Sequence, residues 1–312
     1  MTVQRIQYRR YGGPEVLRLD DFEPRRPGPH EVLVRVHAAS ANPMDWKIRS
    51  GVMEMVTGRD FPRGFGTDFA GVVEAVGADV ARLRVGDEVL GGTSPEGAGS
   101  FSEAVVVEES GVVHKPASLS FEEAAAVPTA GITAYQAIVR EAQLNEGQAV
   151  FVHGCLGGVG RAAVQFALSR GASVAGSCRP TAIKEARALG IHPIVGFDFD
   201  PGSLAGRFDL ILDTAGTLPM TATGMLAKRT GQLIDINPSP AKFARSAMPG
   251  PYRLMIAQPS TVDLDAIAQA AGSGTLHVPI ARTVPLAEAI PALTELELHH
   301  FPRGGKLVAV TE

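Results

Sequence analysis

The run Val150-Phe151-Val152-His153-Gly154-Cys155-Leu156-Gly157-Gly158-Val159-Gly160-Arg161 passes from an apolar strand pattern through glycines into a helix pattern. That order suits the binding of a pyrophosphate. Positions without a Cβ let phosphate oxygens reach backbone N–H groups, and a helix N-terminus adds oriented donors and a partial positive charge. Gly157, Gly158, Val159 and Gly160 would line this turn. In a G-x-G-x-x-G spacing Cys155 occupies the first position, with Gly157 and Gly160 in the other two, and a small residue is tolerated there. The other reading of the run is a structural glycine turn in an α/β sheet. The strand before it and the helix after it favour a dinucleotide.

The next strand end discriminates between nicotinamide cofactors. An Asp or Glu there accepts from the ribose 2′-hydroxyl of NAD. Here Val174-Ala175-Gly176-Ser177-Cys178-Arg179 ends without an acid. Ser177 could hydrogen-bond a 2′-phosphate, Arg179 could pair with it, and Lys184 in the following helix could add charge. The expectation is NADPH rather than NADH. The plainer reading of Arg179 is a solvated loop charge.

The elements around this turn fall into three stretches. Up to about residue 120 the signals are short strands and turns: Glu31–His37 alternates at period two, Ala70–Val76 and Ala104–Val107 are further strands, and Gly- and Pro-rich breaks separate them. From Ser120 the period changes. Ser120 with Glu123 forms a capping box before an alanine-rich helix. Strands at 148–152, 173–176, 208–212 and 232–236 then alternate with helices at 160–169, 181–189 and 221–227, the pattern of βαβ units and a parallel sheet. A strand-like 275–283, a helical 286–298 and a strand at 306–310 form a tail too short to fold alone, which is expected to complete the first domain. The expected organisation is α/β: a β-barrel-type domain over 1–122 completed by 273–312, and a doubly wound Rossmann domain over 123–272.

Composition sets the outer limits. The chain has 312 residues, 45% of them hydrophobic and 20% charged, with a net charge of −4. That is the make-up of an ordinary folded protein, and it lacks the basic surplus of a nucleic-acid binder. Two cysteines cannot build a disulfide scaffold, which points to a reducing compartment. The N-terminal run lacks the apolar core of a signal peptide, and no apolar run approaches the ~18 residues of a membrane span. The expectation is a soluble, cytoplasmic protein.

Several further motifs together resemble the medium-chain dehydrogenase/reductase superfamily, in its zinc-independent NADPH:quinone oxidoreductase (zeta-crystallin-like) branch. They are Asn42-Pro43-Met44-Asp45 with Arg49 and Gly51, Gly66-Thr67-Asp68 leading to Gly71 and Gly77, and Gly86-Asp87-Glu88-Val89. Pro128-Thr129-Ala130-Gly131 and the closing Arg303-Gly304-Gly305-Lys306 complete the set. The resemblance covers nearly the whole chain. It implies a GroES-like substrate domain beside a Rossmann domain, a site in the cleft between them, and a homodimer.

The resemblance also implies roles for residues. Zinc-dependent relatives carry Cys and His near the places held here by Asn42 and Thr67, so no metal is expected. Hydride would pass from NADPH to an electrophilic acceptor, and donors near the acceptor oxygen would stabilise its charge. The candidates are Asn42 and Lys47, with Asp45 orienting its neighbours. Thr129 and Thr133 would approach the nicotinamide ribose, Ala215 and Gly216 would border it, and Ile236 and Asn237 would end the next strand at the carboxyl edge of the sheet, where ligands bind. Arg303 would add a contact. The acceptor expected is a quinone, with no nucleic-acid or membrane partner. The alternatives are an NADPH-dependent reductase of enone or alkenal double bonds, and a non-catalytic NADPH-binding sensor of the same fold.

Overall fold

The computed structural model describes residues 2–258, 260–299 and 304–311. The chain divides into two compact units, Met1–Thr129 with Pro259–Glu312, and Ala130–Gln258.

The first unit opens with strands β1 (Val3–Tyr8), β2 (Arg18–Phe22) and β3 (Glu31–Ser40), followed by short helices α1 (Pro43–Arg49) and α2 (Glu54–Thr57). Strands β4 (Arg63–Gly64), β5 (Asp68–Val76), β6 (Glu88–Gly92), β7 (Ala104–Glu108) and β8 (Val112–His114) come next, and then helix α3 (Phe121–Ala126). The alternation in β3 buries Val32, Val34 and Val36. They meet Phe65, Phe69, Val89, Phe101 and Leu307 in one apolar core. The capping box is present: Ser120 Oγ accepts the Glu123 N–H at 3.2 Å, and Glu123 Oε2 accepts the Ser120 N–H at 2.9 Å.

The second unit follows from helix α4 (Pro128–Tyr135). It contains β9 (Ala149–His153), α5 (Gly158–Ser169), β10 (Ser173–Ser177), α6 (Ile183–Ala188), β11 (Ile194–Val195), β12 (Phe208–Asp213), α7 (Met220–Leu226), β13 (Ala227–Asp235), α8 (Pro240–Ser246) and β14 (Tyr252–Leu254). The sheet order is β11-β10-β9-β12-β13-β14, with every pairing parallel. This is the doubly wound order in which the chain reverses direction between its first and fourth strands, the place where such sheets bind ligands.

The chain then returns to the first unit with α9 (Thr261–Gly272), β15 (Ile280–Pro285), α10 (Ala289–His299) and β16 (Lys306–Val310). Strand β16 pairs antiparallel with β3 and parallel with β15. The expected tail therefore joins the first sheet, although its strand starts at Ile280 rather than at residue 275. The division points differ from the expected 122/123 and 272/273. Helix α3 packs on β3 and β5, and α9 packs on β8. Thr261 Oγ1 donates to the Ser110 carbonyl at 2.7 Å, and Ser118 Oγ donates to that of Gly272 at 2.9 Å. Among the described residues no helix is long and apolar enough to cross a membrane.

Candidate active site

The glycine turn lies between β9 and α5, at the carboxyl edge of the parallel sheet. Gly154 takes φ +81°, a left-handed conformation that other residues adopt at a cost. A Cβ on Gly160 would lie 2.2 Å from the Gly154 carbonyl oxygen, so the helix approaches the turn closely because Gly160 lacks a side chain. This corrects the expected register. Gly154, not Cys155, makes the tight turn, and the working pattern is Gly154, Gly157, Gly160. Cys155 is buried, and its N–H donates to the Ser177 carbonyl at 3.0 Å. Gly157 and Gly158 are exposed and Val159 is half-buried, at the start of a 12-residue helix. The first N–H groups of such a helix have no acceptor within it. These residues fit a dinucleotide phosphate.

Ser177 ends β10 as expected, but its hydroxyl faces inward. The residue is fully buried, and its Oγ accepts the Gly154 N–H at 3.1 Å and pairs with His153 Nδ1 at 2.7 Å. The 2′-phosphate contact expected of this hydroxyl is therefore corrected. Arg179 and Lys184 are exposed beyond the same strand end.

Ala215, Gly216, Ile236 and Asn237 are brought together at the ends of β12 and β13. Asp213 Oδ1 accepts the N–H of Ala215 at 3.1 Å and of Gly216 at 2.7 Å, and its Oδ2 accepts that of Leu218 at 3.1 Å. Asn237 donates its N–H to Asp235 Oδ1 at 2.8 Å and its amide to the Thr214 carbonyl at 3.2 Å. Lys242 Nζ is 2.6 Å from Asp235 Oδ2 and 3.4 Å from the Gly216 carbonyl. The residues organising these loops, His153, Asp213, Asp235 and Lys242, were not singled out from sequence. For the first three the signal is a polar residue closing an otherwise apolar strand, and Lys242 of α8 has none. Burial pushes the Asp213 carboxyl up and the His153 imidazole down. Thr133 is half-buried on α4, and Arg303 lies outside the described residues.

A second polar cluster is built within the first unit, around the start of α1. Asp45 Oδ2 accepts the Asn42 N–H at 2.7 Å, and Asp45 Oδ1 accepts from Thr67 Oγ1 at 3.0 Å. The Asn42 amide donates to Asp68 Oδ2 at 2.9 Å, while its carbonyl oxygen accepts from Lys306. Thr129 gives both its N–H, at 3.0 Å, and its hydroxyl, at 2.6 Å, to Asp68. Lys306 Nζ also donates to the Ala41 carbonyl at 3.2 Å and lies 3.8 Å from Asp68 Oδ2. Asn42, Asp45, Thr67, Asp68 and Lys306 are all buried. Burial pushes the Asp45 carboxyl up to about 7, raises that of Asp68 and lowers the Lys306 ammonium.

This geometry revises two expected roles. Both ends of the Asn42 amide are engaged inside the protein, so the amide is not held out as a donor to an acceptor oxygen. Asp45 is buried and acts as a cap. Lys47 is half-buried in the last turn of α1. The cation of the cluster is Lys306, which arrives from the last strand.

The oxygens of Asp45 and Asp68 are taken by N–H and O–H donors and face an ammonium group, which does not suit a metal cation. Among the described residues no group of three or more His, Cys, Asp or Glu could hold one.

Residues 28–117 match the family described as alcohol dehydrogenase GroES-like domain, and residues 196–308 match that described as zinc-binding dehydrogenase. The mouse mitochondrial NAD(P)H oxidoreductase RTN4IP1 is 32% identical, the match covering 96% of this chain and 87% of the mouse protein. A quinone oxidoreductase of Pseudomonas aeruginosa is 41% identical over 174 residues, covering 56% of this chain and about half (52%) of that enzyme. The solved quinone oxidoreductase of Coxiella burnetii superposes over 100% of both chains with a TM-score of 0.91 at 28% identity. That of Pseudomonas syringae superposes over 99% of both, with a TM-score of 0.85 at 29% identity. The chain thus belongs to the quinone oxidoreductase branch of the medium-chain dehydrogenase/reductase superfamily, and is an oxidoreductase.

Proposed function

We propose that this oxidoreductase uses NADPH to reduce a quinone, and does so without zinc. The observation that carries the cofactor reading is the end of β10. No carboxylate stands there to receive a ribose 2′-hydroxyl, while Arg179 and Lys184 are exposed just beyond it. A phosphate in that position gains two cations, while the neighbouring Glu185 is already paired with Arg161. The similarity to quinone oxidoreductases supports the acceptor, and the unsuitable donor set around Asp45 and Asp68 supports zinc-free chemistry. By family resemblance we assign a homodimer, and the two free cysteines fit a reducing compartment such as the cytoplasm.

The roles follow from this reading. Gly157, Gly158, Val159 and Gly160 receive the pyrophosphate, Arg179 and Lys184 the 2′-phosphate, and Ala215, Gly216, Ile236 and Asn237 the ribose side. When bound, NADPH supplies the hydride. Thr129 and Thr133 hold the reacting end. Asn42 and Asp45 position α1, and Lys47 on that helix supplies positive charge for the oxygen that gains electron density.

NADPH oxidation followed at 340 nm with a simple 1,4-quinone, in the presence of a chelator, tests the proposal. Turnover that survives the chelator is expected. Turnover of an alkenal but not a quinone would replace the acceptor, and restoration only by added zinc would overturn the zinc-free mechanism.

A further inference from the structure

His153 closes β9 and is 1% exposed, yet both ring nitrogens are engaged. Nδ1 lies 2.7 Å from the Ser177 hydroxyl at the end of β10, and Nε2 lies 2.9 Å from the Thr217 hydroxyl in the turn after β12. The Ser177 oxygen also takes the N–H of Gly154, the left-handed residue of the glycine turn. One imidazole therefore connects three loops at the carboxyl edge of the sheet: the glycine turn, the exit of β10, and the turn carrying Ala215 and Gly216.

We propose that His153 is a positioning residue that sets these three loops for the nicotinamide cofactor, and that only its neutral imidazole does so. The inference rests on the cofactor reading above. Ser177 has one proton to give, and with the residue fully buried a neutral Nδ1 is its acceptor. An imidazolium must donate from both nitrogens, which leaves the Ser177 O–H without an acceptor and puts a charge in the interior. The surroundings offer little compensation. From β12 the group facing the ring is Asp213, whose oxygens already receive three backbone N–H groups. Asp235 on β13 lies beyond Asp213 and is paired with Lys242 of α8. From β10 the ring meets the uncharged Ser177, and from the segment after β11 the edge of Phe197, next to the exposed Asp198. Burial holds the imidazole below its ordinary value, in keeping with a neutral ring.

The test measures cofactor Kd by fluorescence titration with NADPH, and separately with NADH, at a series of pH values from about 7.5 down to about 4.5, because a buried imidazole takes up its proton below the ordinary histidine range. Thr217 is exposed, so Thr217→Val removes one arm of the bridge without opening the core. It is expected to raise Kd about 3- to 10-fold, what one lost hydrogen bond is worth, with the melting temperature nearly unchanged. Wild-type Kd is expected to rise at the lower pH. In His153→Gln, whose amide offers an acceptor and a donor but no titrating group, that rise should disappear. An unchanged Kd in Thr217→Val, or the same pH profile in wild type and His153→Gln, overturns the inference and leaves any pH effect to Asp213 or the cofactor phosphate. Failure of the wild-type chain to bind either nucleotide refutes the cofactor reading itself, and this inference with it.

Discussion

Arg49 and Glu297, 248 residues apart in sequence, meet in a two-pronged ion pair of 2.9 and 2.8 Å. The Arg49 side chain is 1% exposed and that of Glu297 is 22% exposed. The guanidinium also donates to the Gly12 carbonyl at 3.1 Å. The pair ties α10 to the helix that carries Asn42 at its cap and Asp45 in its first turn.

The difference in exposure predicts unequal losses. Glu297→Ala strands a buried cation and should cost ~3–5 kcal/mol. Arg49→Met leaves a carboxylate that reaches water and should cost less. The double variant Arg49→Met with Glu297→Leu should recover much of the loss. Urea unfolding of all three checks this, and equal single-variant losses would contradict it.

Asp45 predicts a pH dependence of stability with a definite sign. Burial raises its carboxyl to about 7 in the folded chain, against about 3.9 unfolded. Between those values the folded state holds a proton that the unfolded state has released. Stability from this group therefore falls as pH rises through the window, by at most ~1.4 kcal/mol per unit, and is level above it. Asp45→Asn should remove the slope, so wild type should lose ground to the variant between about pH 4 and about pH 7. Parallel stability curves for the two proteins would refute the assignment.

Gly160 and Gly158 are neighbours with opposite tolerance. A Cβ at Gly160 strikes the Gly154 carbonyl, whereas one at Gly158 would rest 3.6 Å from the Ala130 Cβ, an ordinary contact. Gly160→Ala should destabilise by ~1–3 kcal/mol, as overpacking does. Gly158→Ala should leave the melting temperature within about a degree or raise it slightly, because Ala favours helix. Differential scanning fluorimetry separates the two.

Arg179 is the residue on which cofactor choice should turn. Losing a charge-assisted contact to the 2′-phosphate costs ~1.5–3 kcal/mol, or about 10- to 100-fold in NADPH affinity. NADH binding to Arg179→Ala should stay within about twofold of wild type. Equal weakening of both nucleotides would remove the residue from the phosphate site.

Period and punctuation made much of the fold legible in the sequence. The alternation of Glu31–His37, the Ser120–Glu123 box and the strand-glycine-helix run at residue 150 are local signals, and each element forms within three residues of where the pattern ends. The glycine turn was legible for the same reason, since its requirement for missing side chains is met inside one short segment. Helix α9 was less so, because its apolar face is satisfied by β8, which lies far away in the chain.

The order of residues alone thus determined the fold class, the family and the glycine turn proposed to receive a nucleotide phosphate. Which side chains remain available was decided only by the tertiary structure. Ser177 carries the right chemistry for a phosphate, but the pleat turns its hydroxyl inward, where His153 takes it. Asn42 has a suitable amide, but Asp68 and Lys306 claim both of its ends, and Lys306 comes from 264 residues away. A strand's facing and a pairing across that distance depend on how the whole sheet assembles, so no local pattern could have announced them.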